Sequence, residues 1–537
     1  MLREENTVPH CLIIECCGTA LFGCIIQEEI YVLNSVAKGA MTMKRLLLVC
    51  MMILCLVPFG VSAENAAPTQ PPAPLDQWPE ITPEPENLRT DGDYCYRVLE
   101  DGTAEIVKYT GEERDLIVPA ALDTVRVSRI GKSAFSYNQS IRNVTLPDGL
   151  QEIGESAFSG DSWLITVSLP DSLISIGNSA FEFTSIEQIR IPAGVKEIPG
   201  SAFMRCYSLR EAILPEGLER IGGWAFSACR SLQHIDLPDG LTEIANCAFL
   251  GCTALTAVRL PEGLTHLGLE AFHGCRNLQT VNLPGNLAVI DGNPFTYCSA
   301  LQAVSMSDSH PYLEMRDSVL FSKENNCLIW YPEFKTDEHY QVPDGVREIA
   351  YGAFCNQPYI RYLVLPDTVV KIGQSAFQGC ELLETVQLPE MLTEIPDYAF
   401  SHCVMLHELN LSESLMSIGE ESFALCESLK EITLPSGITA IPRCAFYGCS
   451  NLTQVTLPDS LQTIDIHAFY GCDRLAQISL PSSICFIENH EFRTYDDILE
   501  DDIVIPGLIV TVVPGTYAEK YCREQGILYE YAEVGGF

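Results

Sequence analysis

The side chains best equipped for chemistry in this chain are its 23 cysteines. Ten of them stand three residues after a phenylalanine: Cys206, Cys229, Cys252, Cys275, Cys298, Cys380, Cys403, Cys426, Cys449 and Cys472. Such a series suits a disulfide framework, a metal ladder or a column of buried thiols. Identical thiols on stacked units point the same way, which fits disulfide geometry poorly. An unpaired cysteine packs as a small apolar side chain, so the buried column is the expectation. Cys247 with Cys252, and Cys444 with Cys449, are extra i, i+5 pairs placed to bridge locally. No Cys-x-x-Cys has a matching second pair, so no zinc site is expected.

Gly-x-Ser-Ala-Phe occurs at Gly131, Gly154, Gly177 and Gly373. It has half of a nucleophile elbow, but phenylalanine stands where the second glycine belongs. Its recurrence at one repeat position marks it as structural. The histidines are scattered and lack the spacing of a metal site or triad. An acidic residue follows the strand in ten copies, as at Asp148, Asp171, Glu262 and Asp367. One carboxylate per coil is sparse for calcium, which takes six to eight oxygens. Turn chemistry and solubility explain these acids, and no catalytic residue, cofactor or metal is assigned.

What must position any site is a repeat. Phenylalanine recurs at 135, 158, 181, 203, 226, 249, 272 and 295, then at 354, 377, 400, 423, 446, 469 and 492. The step is 23 residues, with one of 22 between Phe181 and Phe203. A fixed period in the twenties with leucine at fixed offsets predicts a solenoid. In the copy after Phe249, Val258 and Leu260 face inward, and Ala257 and Arg259 face outward. Pro261 ends the strand for want of an N–H, and Glu262-Gly263 makes the turn. Alanine precedes the phenylalanine in most copies, which implies a site without room for more.

The predicted fold is a β-rich leucine-rich-repeat solenoid: one short parallel strand per coil, with turns and short helical segments. Residues 91–130 read as an N-terminal cap and 131–312 as a first block of repeats. A hairpin insertion spans 313–341, where the period breaks, and could project a distinct surface. A second block covers 342–492, and 493–537 read as a C-terminal cap. Upstream, residues 43–63 have the layout of a secretory signal: Lys44 and Arg45, an apolar run, then Val61-Ser62-Ala63. Residues 1–42 read as an upstream over-extension of the frame, and 64–90 as a proline-rich linker.

The chain resembles the BspA-like leucine-rich-repeat family of bacterial surface and secreted proteins, close to treponemal 23-residue repeats. The motifs that carry this are Cys-x-x-Leu-x-x-Val-x-Leu-Pro (Cys252 to Pro261) and Ile-Gly-x-x-Ala-Phe (Ile153 to Phe158). The resemblance implies a secreted or cell-surface protein that adheres to host matrix proteins, mucin or other microbes, by protein or glycan contacts. A structural spacer in an envelope assembly is the alternative.

The formal charge of −39 argues against nucleic acid and anionic lipid, both of which need Lys/Arg contacts. No transmembrane segment is expected once the signal is removed, and a monomer is the expected state. Outward strand positions form one continuous surface in a solenoid. The candidate ligand-binding residues are therefore His234, Asp236, Arg259, Asn282, Tyr362 and Asn410.

Overall fold

The structure is a computed structural model and describes residues 88–488, 491–496 and 501–532. The expected signal segment, the stretch before it and most of the linker lie outside the described residues. From Leu88 onward the chain is a solenoid of stacked coils. Each coil has three sides: a front strand, a two-residue return strand, and a tight turn around the repeat phenylalanine.

Front strands pair in parallel with a register of one repeat, as in Ala257↔Thr280↔Ala303. The return strands do the same, Arg220↔Glu243↔His266. The phenylalanine turn carries a third ladder, in which the N–H of Phe249 donates to the carbonyl of Ala271 at 2.8 Å. Every side of the coil thus passes its backbone hydrogen bonds to a neighbour, as buried peptide groups require. Val258 and Leu260 are buried, whereas Ala257 and Arg259 are exposed, so the strand alternates as its sequence does.

Two positions per coil, two residues before and two after the phenylalanine, take the left-handed conformation. Examples are Cys247 at φ 58° and Gly251 at φ 68° flanking Phe249. Those left-handed residues bend the backbone in place of the short helical segments expected there. The only α-helix among the described residues is Tyr517–Gln525, near the C-terminus.

The phenylalanines of each block form an internal stack. Phe226, Phe249 and Phe272 have centroids 5.4 and 5.3 Å apart and are almost parallel. Aromatic pairs of this kind add to the burial of their area. At the N-terminal end Tyr109 extends the stack onto Phe135 at 5.2 Å, and Tyr94 extends it onto Tyr109. The linker is shorter than expected: a strand at Leu88–Asp91 begins inside it and pairs antiparallel with Tyr94–Val98.

The insertion differs from its expected form. Leu313–Arg316, Val319–Ser322 and Cys327–Trp330 make a three-stranded antiparallel meander, not a two-stranded hairpin. It does not project. Its last strand pairs in parallel with the return strand Glu348–Ile349 and is buried along its whole length. Leu320, Ile329 and Trp330 pack into the core before it, while Val319, Phe321, Leu328 and Tyr331 pack into the core after it.

The meander is therefore a wall between two apolar cores. Trp330 meets Phe295 edge-on at 5.6 Å, and Tyr331 stacks on Phe354 at 5.0 Å. Tyr331 lies one full repeat before Phe354 and holds the phenylalanine position. The repeat resumes at Tyr331 and not at Val342.

Candidate functional site

The front face carries the predicted residues in two groups. Arg259 and Asn282 are directly opposed on the strands Ala257–Arg259 and Thr280–Asn282, and both are exposed. One coil earlier, Asp236 holds the position of Arg259 and His234 that of Ala257, on a segment without strand pairing. His234 Nε2 lies 2.7 Å from Asp236 Oδ1, so the two exposed side chains partner each other.

Tyr362 sits beyond the buried wall, in the strand Tyr362–Val364. Asn410 follows the strand Glu408–Leu409 two coils later and is exposed. The fold brings the first four residues together and leaves the other two on a separate stretch of face.

Tyr362 is less available than the sequence suggests. Its ring stacks on His339 at 4.4 Å, and its hydroxyl donates to Glu384 Oε2 at 3.0 Å. The bond to Glu384 raises the Tyr362 hydroxyl above its ordinary pKa. The bond from Arg361, followed by that from Tyr362, lowers the Glu384 carboxyl. Neighbouring outward side chains are likewise tied across coils. Asn143 donates to Asp115, Thr166 donates to Asn143 at 2.6 Å, and Ser305 donates to Asn282 at 3.3 Å.

The cysteine column has a chemistry that spacing does not reveal. Each of the ten thiols donates to the carbonyl of a repeat phenylalanine in the coil before it. Cys252 Sγ reaches the Phe226 oxygen at 3.2 Å, and Cys380 reaches that of Phe354 at 3.1 Å. Burial pushes the thiols of Cys252, Cys380 and Cys449 up to about 12. Thiols so protonated are poor nucleophiles and poor metal ligands.

The i, i+5 pairs are not bridged. Cys247, Cys252, Cys444 and Cys449 are all thiols, and Cys247 Sγ turns instead to Glu270 Oε2 at 3.9 Å. Among the described residues no group of three or more His, Cys, Asp or Glu could hold a metal. The serines of Gly-x-Ser-Ala-Phe sit at the left-handed corner, with φ of 54°, 53°, 53° and 54° at Ser133, Ser156, Ser179 and Ser375. They shape the turn.

Coils of 23 residues, with leucines at fixed offsets and a parallel front sheet, define a leucine-rich-repeat solenoid. The BspA type leucine-rich repeat region, in six copies, matches residues 128–252, 224–326, 347–443 and 416–509, roughly two thirds of the sequence. The chain belongs to that family.

Among solved structures, it is similar to a leucine-rich cell surface protein from Faecalibacterium prausnitzii. The two are 28% identical over 70% of this chain and 95% of that one, with a TM-score of 0.49. A leucine-rich repeat protein from Bacteroides ovatus is 27% identical over 75% and 100%, at a TM-score of 0.40. The pneumococcal vaccine antigen PcpA is 21% identical over 83% and 99%, at 0.41. No curated protein matches the chain. Among the described residues no helix is long and apolar enough to cross a membrane.

Proposed function

We propose that this chain is a secreted or surface-displayed adhesion protein, a monomer without catalytic activity that binds proteins or glycans. The observation that carries this reading is the front face. Coil after coil in one-repeat register, it presents short polar side chains with His234, Asp236, Arg259 and Asn282 grouped upon it. A solenoid uses such extended surfaces for binding.

The test is binding of residues 64–537 to arrayed matrix proteins, mucins and glycans. Saturable binding that Arg259→Glu weakens, in a variant that still folds, is the expected result. Silence across the array would sink the reading.

A second reading, a spacer in an envelope assembly, draws on the bonds between outward side chains such as Asn143 with Asp115. Groups already partnered have less to offer a ligand. This reading expects no front-face binding, and contacts only at the ends of the solenoid.

A further inference from the structure

The corner between the repeat phenylalanine and the front strand carries an exposed aromatic row in the first block. Tyr137, Trp163, Phe183 and Tyr207 stand on four successive coils and are 65%, 47%, 44% and 38% exposed. The guanidinium of Arg142 lies 4.5 Å from the Trp163 ring centre, and that of Arg230 lies 4.9 Å from Tyr207. Phe183 meets Tyr207 edge-on at 5.9 Å. The rings are interleaved with Gln139, Ser162 and Ser185, where Ser162 donates to Gln139 Oε1 at 3.0 Å.

Two features single out this corner. First, the left-handed position after the phenylalanine is glycine in six coils and another residue in eight, and of those eight only Tyr137 and Phe183, at φ 59° and 58°, expose their side chains. A bulky side chain there costs on the order of 1 kcal/mol, and strain of this kind gathers at ligand sites.

Second, the local charge inverts. Between the phenylalanine and the strand, the five coils from Phe135 to Phe226 carry Arg142, Arg205, Arg210 and Arg230 against Glu182, Glu187 and the buried Asp161. The chain as a whole has 71 acidic and 32 basic residues. Despite that excess of acid, Arg142, Arg210 and Arg230 make no ion pair among the described residues.

We infer that this corner binds a linear anionic polysaccharide laid along the solenoid axis. The apolar faces of its sugar rings rest on Tyr137, Trp163, Phe183 and Tyr207. Its carboxylates or sulfates meet Arg142, Arg210 and Arg230. Coils repeat about every 4.8 Å, so the four rings span roughly 15 Å. A ring on each coil suits a ligand that itself repeats, whereas protein hot spots centre on one well-packed pocket. The inference rests on the reading that the chain binds an extracellular ligand, and it moves the contact from the front face to the corner.

The experiment immobilises residues 64–537 and titrates heparin, hyaluronan, neutral dextran and gelatin. Saturable binding of heparin or hyaluronan, without dextran, is expected; which of the two binds separates sulfate from carboxylate recognition. The double variant Trp163→Ala, Tyr207→Ala should lower affinity at least about tenfold. The pair Arg142→Glu, Arg230→Glu should abolish binding, and Arg474→Glu, exposed in the second block, should leave it unchanged. Circular dichroism and melting confirm that each variant folds.

Failure of both anionic polymers to bind overturns the inference. So does binding lost with Arg259→Glu but kept by the corner variants, although the front-face proposal would then stand. Gelatin binding that disappears with the corner variants overturns the ligand class.

Discussion

Asp161 occupies the column position that later coils give to cysteine, three residues after Phe158. It is fully buried. Its Oδ1 accepts the N–H of Asn138 at 2.6 Å, and its Oδ2 has no partner. Burial, only partly offset by that bond, pushes the carboxyl up to about 8 from an ordinary value of 3.8.

The folded coil therefore holds a proton that the unfolded coil releases. Stability from this source is full below pH 3.8 and falls as pH rises toward 8, because the unfolded state binds fewer protons throughout that window. The slope approaches 1.4 kcal/mol per pH unit, and the loss between pH 5 and 8 is roughly 4 kcal/mol. Asp161→Asn keeps the acceptor for Asn138 and places a neutral donor where Oδ2 stands.

Hydrogen exchange on peptides covering residues 131–185, converted to opening free energies at pH 5, 6.5 and 8, reads this locally. The wild type should lose protection with rising pH, and Asp161→Asn should be flat in comparison. Equal pH dependence in the two proteins would refute the reasoning, since no other group in those coils shares this burial and shift.

Phe249→Ala removes a ring stacked at 5.4 and 5.3 Å between its neighbours. It should cost about 3–5 kcal/mol, with exchange protection lost in the adjoining coils and retained beyond the wall at Cys327–Trp330. In thiol titration of the native protein, the exposed Cys485 should react at once. The ten column cysteines should react only with denaturant, and prompt labelling of Cys252 would contradict its burial.

Period and alternation were enough to find the coils, the inward Val258 and Leu260, and the outward Arg259. Each follows from a pattern repeated many times over. What stayed hidden depends on single substitutions or on contacts between coils. Tyr331 keeps its place one repeat before Phe354, but tyrosine for phenylalanine and the residues added before it mask the step. Tyr109 is concealed in the same way at the other end.

The thiol bonds to phenylalanine carbonyls join residues 26 apart, as with Cys252 and Phe226, a separation that no local motif reports. Five of the six front-face candidates are exposed, as strand alternation predicts, and Tyr362 is half-buried. That Tyr362 is engaged by His339 and Glu384 is a fact of neighbouring coils, not of its own. The aromatic corner escaped because its members sit at different offsets from the repeat phenylalanine. A net drawn at the coil period puts them in neighbouring columns and not in one.

The wall between the two cores has a consequence under load. A coil pulled from either end detaches from one neighbour only, so the solenoid should lengthen in steps of one repeat. Each step pays out about 80 Å of extended chain for its 23 residues. At the meander the pattern must change. Its three strands pair antiparallel with one another between Phe295 and Phe354, so they leave together as a unit longer than one repeat. The extension record should therefore show one step longer than the others where the meander gives way.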